Sequence, residues 1–294
     1  MSSEKLVKLC DIMDIIRRLK EDGYVKQFYD DPTPYFNLTT ESDKEIYTRP
    51  YERNLVKHGG ETDNKIVEDI LEKYCQNNEE YKKNTNLKTV LTKVTLLNAF
   101  YRTTLNNIHL VAIARYLCSL DIDNRIVPMK DGQPTKEPNF DLIHDIAYHH
   151  SDLFAHQGNT DFLQFRVITK NGIVNHTNSM YSFASKYCAW HQPTLYPIVD
   201  SYTKGVLYHI VNDNKENEDF QRYIEYPKII RSKKLSHSML NNYQIYYAVY
   251  NGLRRYLQKN DITLSLKDLD IFLWSYGMEH NISDDCSEIY LIES

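Results

Sequence analysis

Apolar residues recur along this chain mostly at spacings of three and four, which predicts a chain built of helices. Leu6, Leu9, Met13 and Ile16 give a first amphipathic helix over residues 5–20. From Asp22 to Arg53 the periodicity fades into a segment rich in proline and tyrosine. Thr62 then caps a helix whose apolar face is Ile66, Val67, Ile70, Leu71 and Tyr74, and the polar run Gln76–Asn86 reads as a linker. Two core helices follow, the first through Leu87, Val90, Leu91, Val94, Leu97 and Tyr101, the second through Ile108, Val111, Ala114 and Leu117. Beyond a loop with Pro128, Pro134 and Pro138, a helix is expected from Asp141 to Phe154. Phe162–Ile168, Asn171-Gly172 and Ile173-Val174 make the clear hairpin signal. Later helices are expected over residues 201–211, 238–258 and, behind a capping box of Ser265 and Asp268, up to a stop at Gly277. The pattern therefore implies a mainly α fold of two helical lobes with one small β-hairpin. Its domains are an N-terminal extension, residues 1–86, and a helical domain, residues 87–294.

The strongest candidate chemistry lies in Tyr181–Lys204, YSFASKYCAWHQPTLYPIVDSYTK. A helix bearing Lys186 ends near Gln192-Pro193, and the extended run Leu195–Val199 leads to Asp200 at the mouth of the next helix. Pro197 cannot lie inside a helix, so Asp200 belongs at or beside the N-cap. Phe183 and Trp190, three before and four after Lys186, share its helix face. An ammonium held against rings is partly desolvated, which favours the neutral, nucleophilic amine.

Composition narrows the partners. A net charge of −5 and a pI near 6.1 exclude a protein that coats nucleic acid by overall positive charge, but leave room for local basic clusters such as Lys228–Lys234 and Arg254-Arg255. No run of about 18 apolar residues marks a membrane span. The N-terminus is charged and amphipathic, unlike a signal peptide. Five cysteines without CxxC spacing read as reduced thiols of a cytoplasmic protein. The 24 tyrosines offer stacking faces with polar handles, although codon bias toward Asn, Lys, Tyr and Ile explains them as well.

Three blocks carry a resemblance: Val94–Tyr101, then Ser182-Phe-Ala-Ser-Lys186 leading to Tyr196-Pro-Ile-Val-Asp200-Ser, then Asp270–Gly277. In this order they resemble the helix-hairpin-helix DNA glycosylases (the HhH-GPD, or 8-oxoguanine-glycosylase-like, superfamily) over roughly residues 87–277. The resemblance implies a DNA N-glycosylase that needs no cofactor or metal. It would act as a monomer on double-stranded DNA, flip a damaged or modified base into a pocket and excise it. Lys186 matches the family's lysine, which in bifunctional members adds lyase activity, and Asp200 matches the catalytic carboxylate. Asn98 falls where the family ends its first core helix with a polar residue. Trp190, His191 and Tyr202 flank the key positions and are candidates to line the base pocket. Two features depart from the pattern. The glycine-rich hairpin before the lysine is absent, and Lys186 and Asp200 are 200 − 186 = 14 positions apart, a few fewer than usual. The missing glycine-rich hairpin, the acidic chain, the β-hairpin inserted before the Lys186 helix and the N-terminal extension of about 86 residues fit ordinary oxidised or alkylated bases poorly. Tyrosines, asparagines and histidines in the surround can stack on and hydrogen-bond a large polar group. Together these features suggest a bulky pyrimidine such as the glucosylated hydroxymethylcytosine of phage DNA, and hence antiviral defence.

Two rival readings stand beside this one. His144-Asp145, His149, His150, Asp152 and His156 place His and Asp at i,i+4 in the manner of an HD-type metal phosphohydrolase. A glycosylase-like chain without catalysis would be a nucleic-acid-binding module. In purely structural terms Asp200 is an ordinary N-cap, Lys186 a surface lysine and Trp190 a core residue.

Overall fold

The structure is a computed structural model that describes residues 7–21, 63–101, 103, 105, 110–130, 133–148, 164–169, 172–177, 180–224, 234–280, 282 and 290–291. These residues are mainly helical, as the periodicity predicts. They form two compact units: residues 67–199 with 285–294, and residues 1–66 with 200–284. The chain crosses between them after Ile66, after Val199 and after Asp284. Residues 73–86 fall in the first of these units.

That unit is assembled on one helix. Its elements are α2 (Asp63–Glu72, shared across the crossing), a π-turn (Lys73–Asn77), α3 (Leu87–Tyr101), α4 (Leu110–Ser119), α5 (Ile122–Arg125), α6 (Phe140–Tyr148) and α7 (Tyr181–His191). Strands β1 (Met129–Lys130) and β2 (Gln133–Pro134) form one antiparallel pair. β3 (Gln164–Thr169) and β4 (Gly172–Thr177) form the predicted hairpin, and β5 (Tyr290–Leu291) adds to β3 in the order β4–β3–β5. The β1–β2 pair and β5 go beyond the single expected hairpin. Ten of the eleven residues of α7 are buried, so it is enclosed nearly all round, and it packs against α6, α3 and the π-turn. Asn86 accepts from the backbone N–H groups of Lys88 (3.0 Å) and Thr89 (3.3 Å), and so starts α3 where the linker was expected to end.

In the other unit α8 (Ser201–Asp213) packs against α11 (Leu266–Glu279) and α10 (Tyr243–Lys259), with α9 (Glu218–Gln221) and a 3-10 turn (His237–Asn241) between. The first helix, α1 (Leu9–Glu21), is tied to the end of α8. Val7 N donates to Asp213 Oδ2 (2.9 Å), Leu9 N to Asn214 Oδ1 (3.2 Å), and Asn214 Nδ2 to Val7 O (2.9 Å). The capping box of Ser265 and Asp268 forms as the sequence predicts. Gly277 does not stop the helix, which continues to Glu279. Its role is close approach: a Cβ there would lie 2.9 Å from Tyr202 Cβ and 3.0 Å from Tyr202 O and Val206 Cγ2, on the first turns of α8. Gly277→Ala is therefore expected to destabilise the protein by about 1–3 kcal/mol in urea titrations, although alanine in an open helix would stabilise it by up to about 1 kcal/mol. An unchanged or raised midpoint would show that α8 and α11 are less closely packed than this.

Candidate functional site

Lys186 sits in the second turn of α7 with only 4% of its surface exposed. Its Nζ donates to Ser182 Oγ one turn earlier, at 2.9 Å, and lies 5.6 Å from the centre of the Tyr101 ring. Tyr101 also meets Trp190, centroid to centroid at 6.2 Å, so the last residue of α3 joins the lysine and the tryptophan of α7. Phe183 is fully buried and packs on Tyr187 (5.6 Å). Ser182 Oγ in turn donates to Val199 O (3.0 Å), while Ser185 Oγ accepts from Val199 N (2.9 Å) and donates to Ser182 O (2.9 Å). Two serines of one helical turn thus hold both backbone polar groups of Val199, the residue after which the chain leaves this unit.

Asp200 opens α8 as the expected N-cap. Its Oδ1 accepts from Tyr202 N at 2.8 Å, and its other oxygen has no hydrogen-bond partner among the described residues. It is half-buried, with one acceptor committed to the helix and one left over. Tyr202 is half-buried too, its ring edge-on to Trp274 (6.5 Å, 88°).

The remaining candidates have internal roles. Asn98 closes the loop after α3: its Nδ2 donates to Leu105 O (3.0 Å), and its Oδ1 accepts from Leu105 N and Thr103 Oγ1 (both 3.0 Å). Trp190 is 6% exposed and its carbonyl accepts from Gln76 Nε2 of the π-turn (2.8 Å). His191, 7% exposed, has both ring nitrogens engaged, Nδ1 with Tyr187 O (2.7 Å) and Nε2 with Lys93 Nζ (3.1 Å). The carbonyl can only accept and an ammonium can only donate, so the ring is neutral with its proton on Nδ1. Burial, reinforced by the Lys93 charge, pushes its pKa down to about 3.

Lys93 is the residue the sequence pattern hides. Fully buried, it donates to Lys82 O (2.8 Å), Lys83 O (3.3 Å) and Asn84 Oδ1 (3.1 Å) as well as to His191. Asn84 Oδ1 also accepts from Tyr187 Oη (2.6 Å), and Asn84 N and Nδ2 donate to the exposed Asp123. Burial lowers the Lys93 pKa to about 8 and raises the nearby Cys75 thiol to about 12, so the cysteine is an inert neutral thiol. A signal was present: Lys93 lies between Val90, Val94 and Leu97 on the apolar stripe of α3, where a solvated lysine has no place.

For the phosphohydrolase reading, Asp145 is paired with Arg125 (2.5 Å) and His144 packs on Tyr148 (5.0 Å), while His149, His150, Asp152 and His156 lie outside the described residues. Among the described residues no group of three or more His, Cys, Asp and Glu could hold a metal ion. No helix among them is long and apolar enough to cross a membrane. Cys10, Cys75, Cys118 and Cys188 are free thiols.

The family described as HI_0787_N, N-terminal domain, matches residues 42–195, more than half of the chain. The chain belongs to the HI_0787_N family. A relative, an uncharacterized protein of Haemophilus influenzae strain Rd, is 28% identical over 144 residues, 48% of this chain and 60% of that protein. The chain thus spans about 60% of the length of the curated relative it matches. No solved structure matches. The HI_0787_N match contains Asn98, Lys93, Lys186, Trp190 and His191, and stops short of Asp200 and Tyr202.

Proposed function

We propose that this protein is a DNA N-glycosylase that excises a modified base and leaves an abasic site. The observation that carries the reading is Lys186, an amine almost wholly withdrawn from water and held between a hydroxyl and an aromatic ring. An ordinary surface lysine has neither the burial nor the oriented partner. The order of blocks along the sequence supports the same reading, as does Asp200, whose cap leaves one carboxylate oxygen over. Breaking an N-glycosidic bond builds positive charge on the sugar, and a carboxylate stabilises that charge electrostatically. An amine attacking the same sugar carbon adds lyase chemistry.

The substrate proposed is a bulky pyrimidine, glucosylated hydroxymethylcytosine, in double-stranded phage DNA, which makes the protein a cytoplasmic defence enzyme working as a monomer. The assay is base release from ordinary, oxidised, alkylated and glucosylated duplexes, scored by strand cleavage at abasic sites. Release confined to glucosylated DNA is expected. Release confined to 8-oxoguanine or alkylated purines would reject the defence reading and keep the glycosylase; release from none would reject both. Borohydride is expected to trap a covalent protein–DNA adduct that Lys186→Ala does not form, and base release without an adduct would mean that water attacks instead.

A further inference from the structure

Ser182 is half-buried in the first turn of α7, and its hydroxyl stands between two groups of fixed character. On one side is Val199 O, which only accepts; on the other is Lys186 Nζ. A hydroxyl has a single proton. With that proton directed to Val199 O at 3.0 Å, Ser182 Oγ can only accept from the lysine at 2.9 Å. The chain of donors therefore runs one way, from Lys186 N–H to Ser182 O–H to Val199 carbonyl. Val199 is held from its other side as well, because its N–H donates to Ser185 Oγ, so the acceptor at the end of the chain is itself fixed.

Two consequences follow for the amine. Ser182 takes an N–H of Lys186 and leaves the nitrogen lone pair unused in that contact, which orients the neutral amine without blocking it. The same direction of donation argues against Ser182 as a nucleophile with Lys186 as its base, since that arrangement needs the serine proton aimed at the lysine. We infer that Ser182 is a positioning residue that orients Lys186 for carbon–nitrogen bond formation with an aldehyde, the ring-opened sugar of an abasic site in DNA. The inference rests on the reading of Lys186 as a nucleophilic amine.

The Nζ lone pair forms a bond to the aldehyde carbon, the carbonyl oxygen leaves as water with the two amine protons, and an imine remains. Added borohydride delivers hydride to the imine carbon, and a proton from water completes a stable secondary amine. Ser182 supplies no atom to the product. Its effect falls on the protonation and the aim of Lys186.

The effect has a sign. A hydroxyl accepting from Nζ favours the charged form of the lysine, so removing it makes the amine easier to deprotonate. It also frees the side chain to turn away from its productive direction. Ser182→Ala is thus expected to move the midpoint of the pH–rate profile for imine trapping to lower pH by about half a unit, and to lower the plateau rate about tenfold. Ser182→Thr keeps the hydroxyl and is expected to restore both. A serine that only supported the fold would change the amount of active protein and leave the midpoint where it was.

The experiment has two arms, each on the full chain with melting temperatures recorded for every variant. In the first, a duplex with a single abasic site is trapped by borohydride across a pH series, using the unmodified protein, Ser182→Ala, Ser182→Thr and Lys186→Ala. In the second, DNA is left out: glyoxylate with cyanoborohydride labels the protein, and the label on Lys186 is measured by peptide mass spectrometry. A shifted midpoint in both arms, restored by threonine, is the expected result. A shift in the glyoxylate arm with no DNA adduct would sink the glycosylase reading and keep Ser182 as the positioning residue. Superimposable midpoints for the unmodified protein and Ser182→Ala, or no label on Lys186, would overturn the inference.

Discussion

Asp200→Asn is expected to lower base release by at least about a hundredfold while leaving the fold and DNA binding in place. One side chain has two separable roles. As an N-cap, Asp200 presents Oδ1 to Tyr202 N at 2.8 Å, and asparagine offers an equivalent carbonyl oxygen with nearly the same capping strength. As a charge, it has a second oxygen without a hydrogen-bond partner among the described residues, and asparagine puts a neutral amide there. The melting temperature should therefore stay within a degree or two of the unmodified protein, and binding to substrate duplex at fixed salt should change little. Asp200→Ala removes the cap as well and is expected to cost roughly 0.5–2 kcal/mol of stability. Base release by Asp200→Asn at the full rate would remove the carboxylate from the mechanism, whatever became of Lys186.

Spacing predicts α3 and α10, each of which buries a stripe repeating at three and four, while capping and proline signals mark α7, α8 and α11. Asp200 was legible for a related reason: Pro197 forbids helix, and an Asp-Ser pair before a helical pattern has few other uses. What escaped was anything decided by a partner from elsewhere in the chain. Gly277 reads locally as a stop signal, and only the crossing of α8 shows that its missing side chain makes room for Tyr202. Residues 76–86 read as a polar linker because their polar groups look solvated. Yet Asn84 is 3% exposed and bonded to Lys93, Tyr187 and Asp123.

The abundant tyrosines and asparagines invite a reading as a surface for stacking on and hydrogen-bonding a base. Many of them are internal instead. Tyr116, Tyr187, Tyr196 and Tyr250 are buried, with hydroxyls donating to Asp145 O, Asn84 Oδ1, Ile126 O and Leu266 O. Asn86, Asn139, Asn217 and Asn242 cap or start helices. Buried hydroxyls need partners, and this chain meets that need with carbonyls and carboxamides inside each unit.

The largest expected loss of stability comes from Lys93→Met. Methionine has about the right length for the site and removes a buried charge, a change that is often neutral when the partners are removed with it. Here the partners stay. Lys82 O, Lys83 O, Asn84 Oδ1 and His191 Nε2 share the three N–H groups of the ammonium, and methionine leaves them without that donor. Each buried group left without its bond costs about 1–3 kcal/mol, so a total of roughly 3–5 kcal/mol is expected in denaturant titrations.

The same network gives a pH dependence whose sign is fixed. His191 has a folded pKa of about 3 against an ordinary 6.5, so below 6.5 the unfolded chain takes up a proton that the folded ring refuses. Its contribution to stability is complete above pH 6.5 and falls as pH drops toward 3, by about 1.5 kcal/mol between pH 6.5 and 5. Lys93, at about 8 against 10.5, adds stability as pH rises from 8 toward 10.5, because there the unfolded chain still holds the proton. His191→Gln can accept from Lys93 and donate to Tyr187 O without titrating, so it should flatten the acid limb while leaving the alkaline one. A Lys93→Met protein as stable as the original, or an acid limb unchanged in His191→Gln, would mean that this buried network does not hold the unit together.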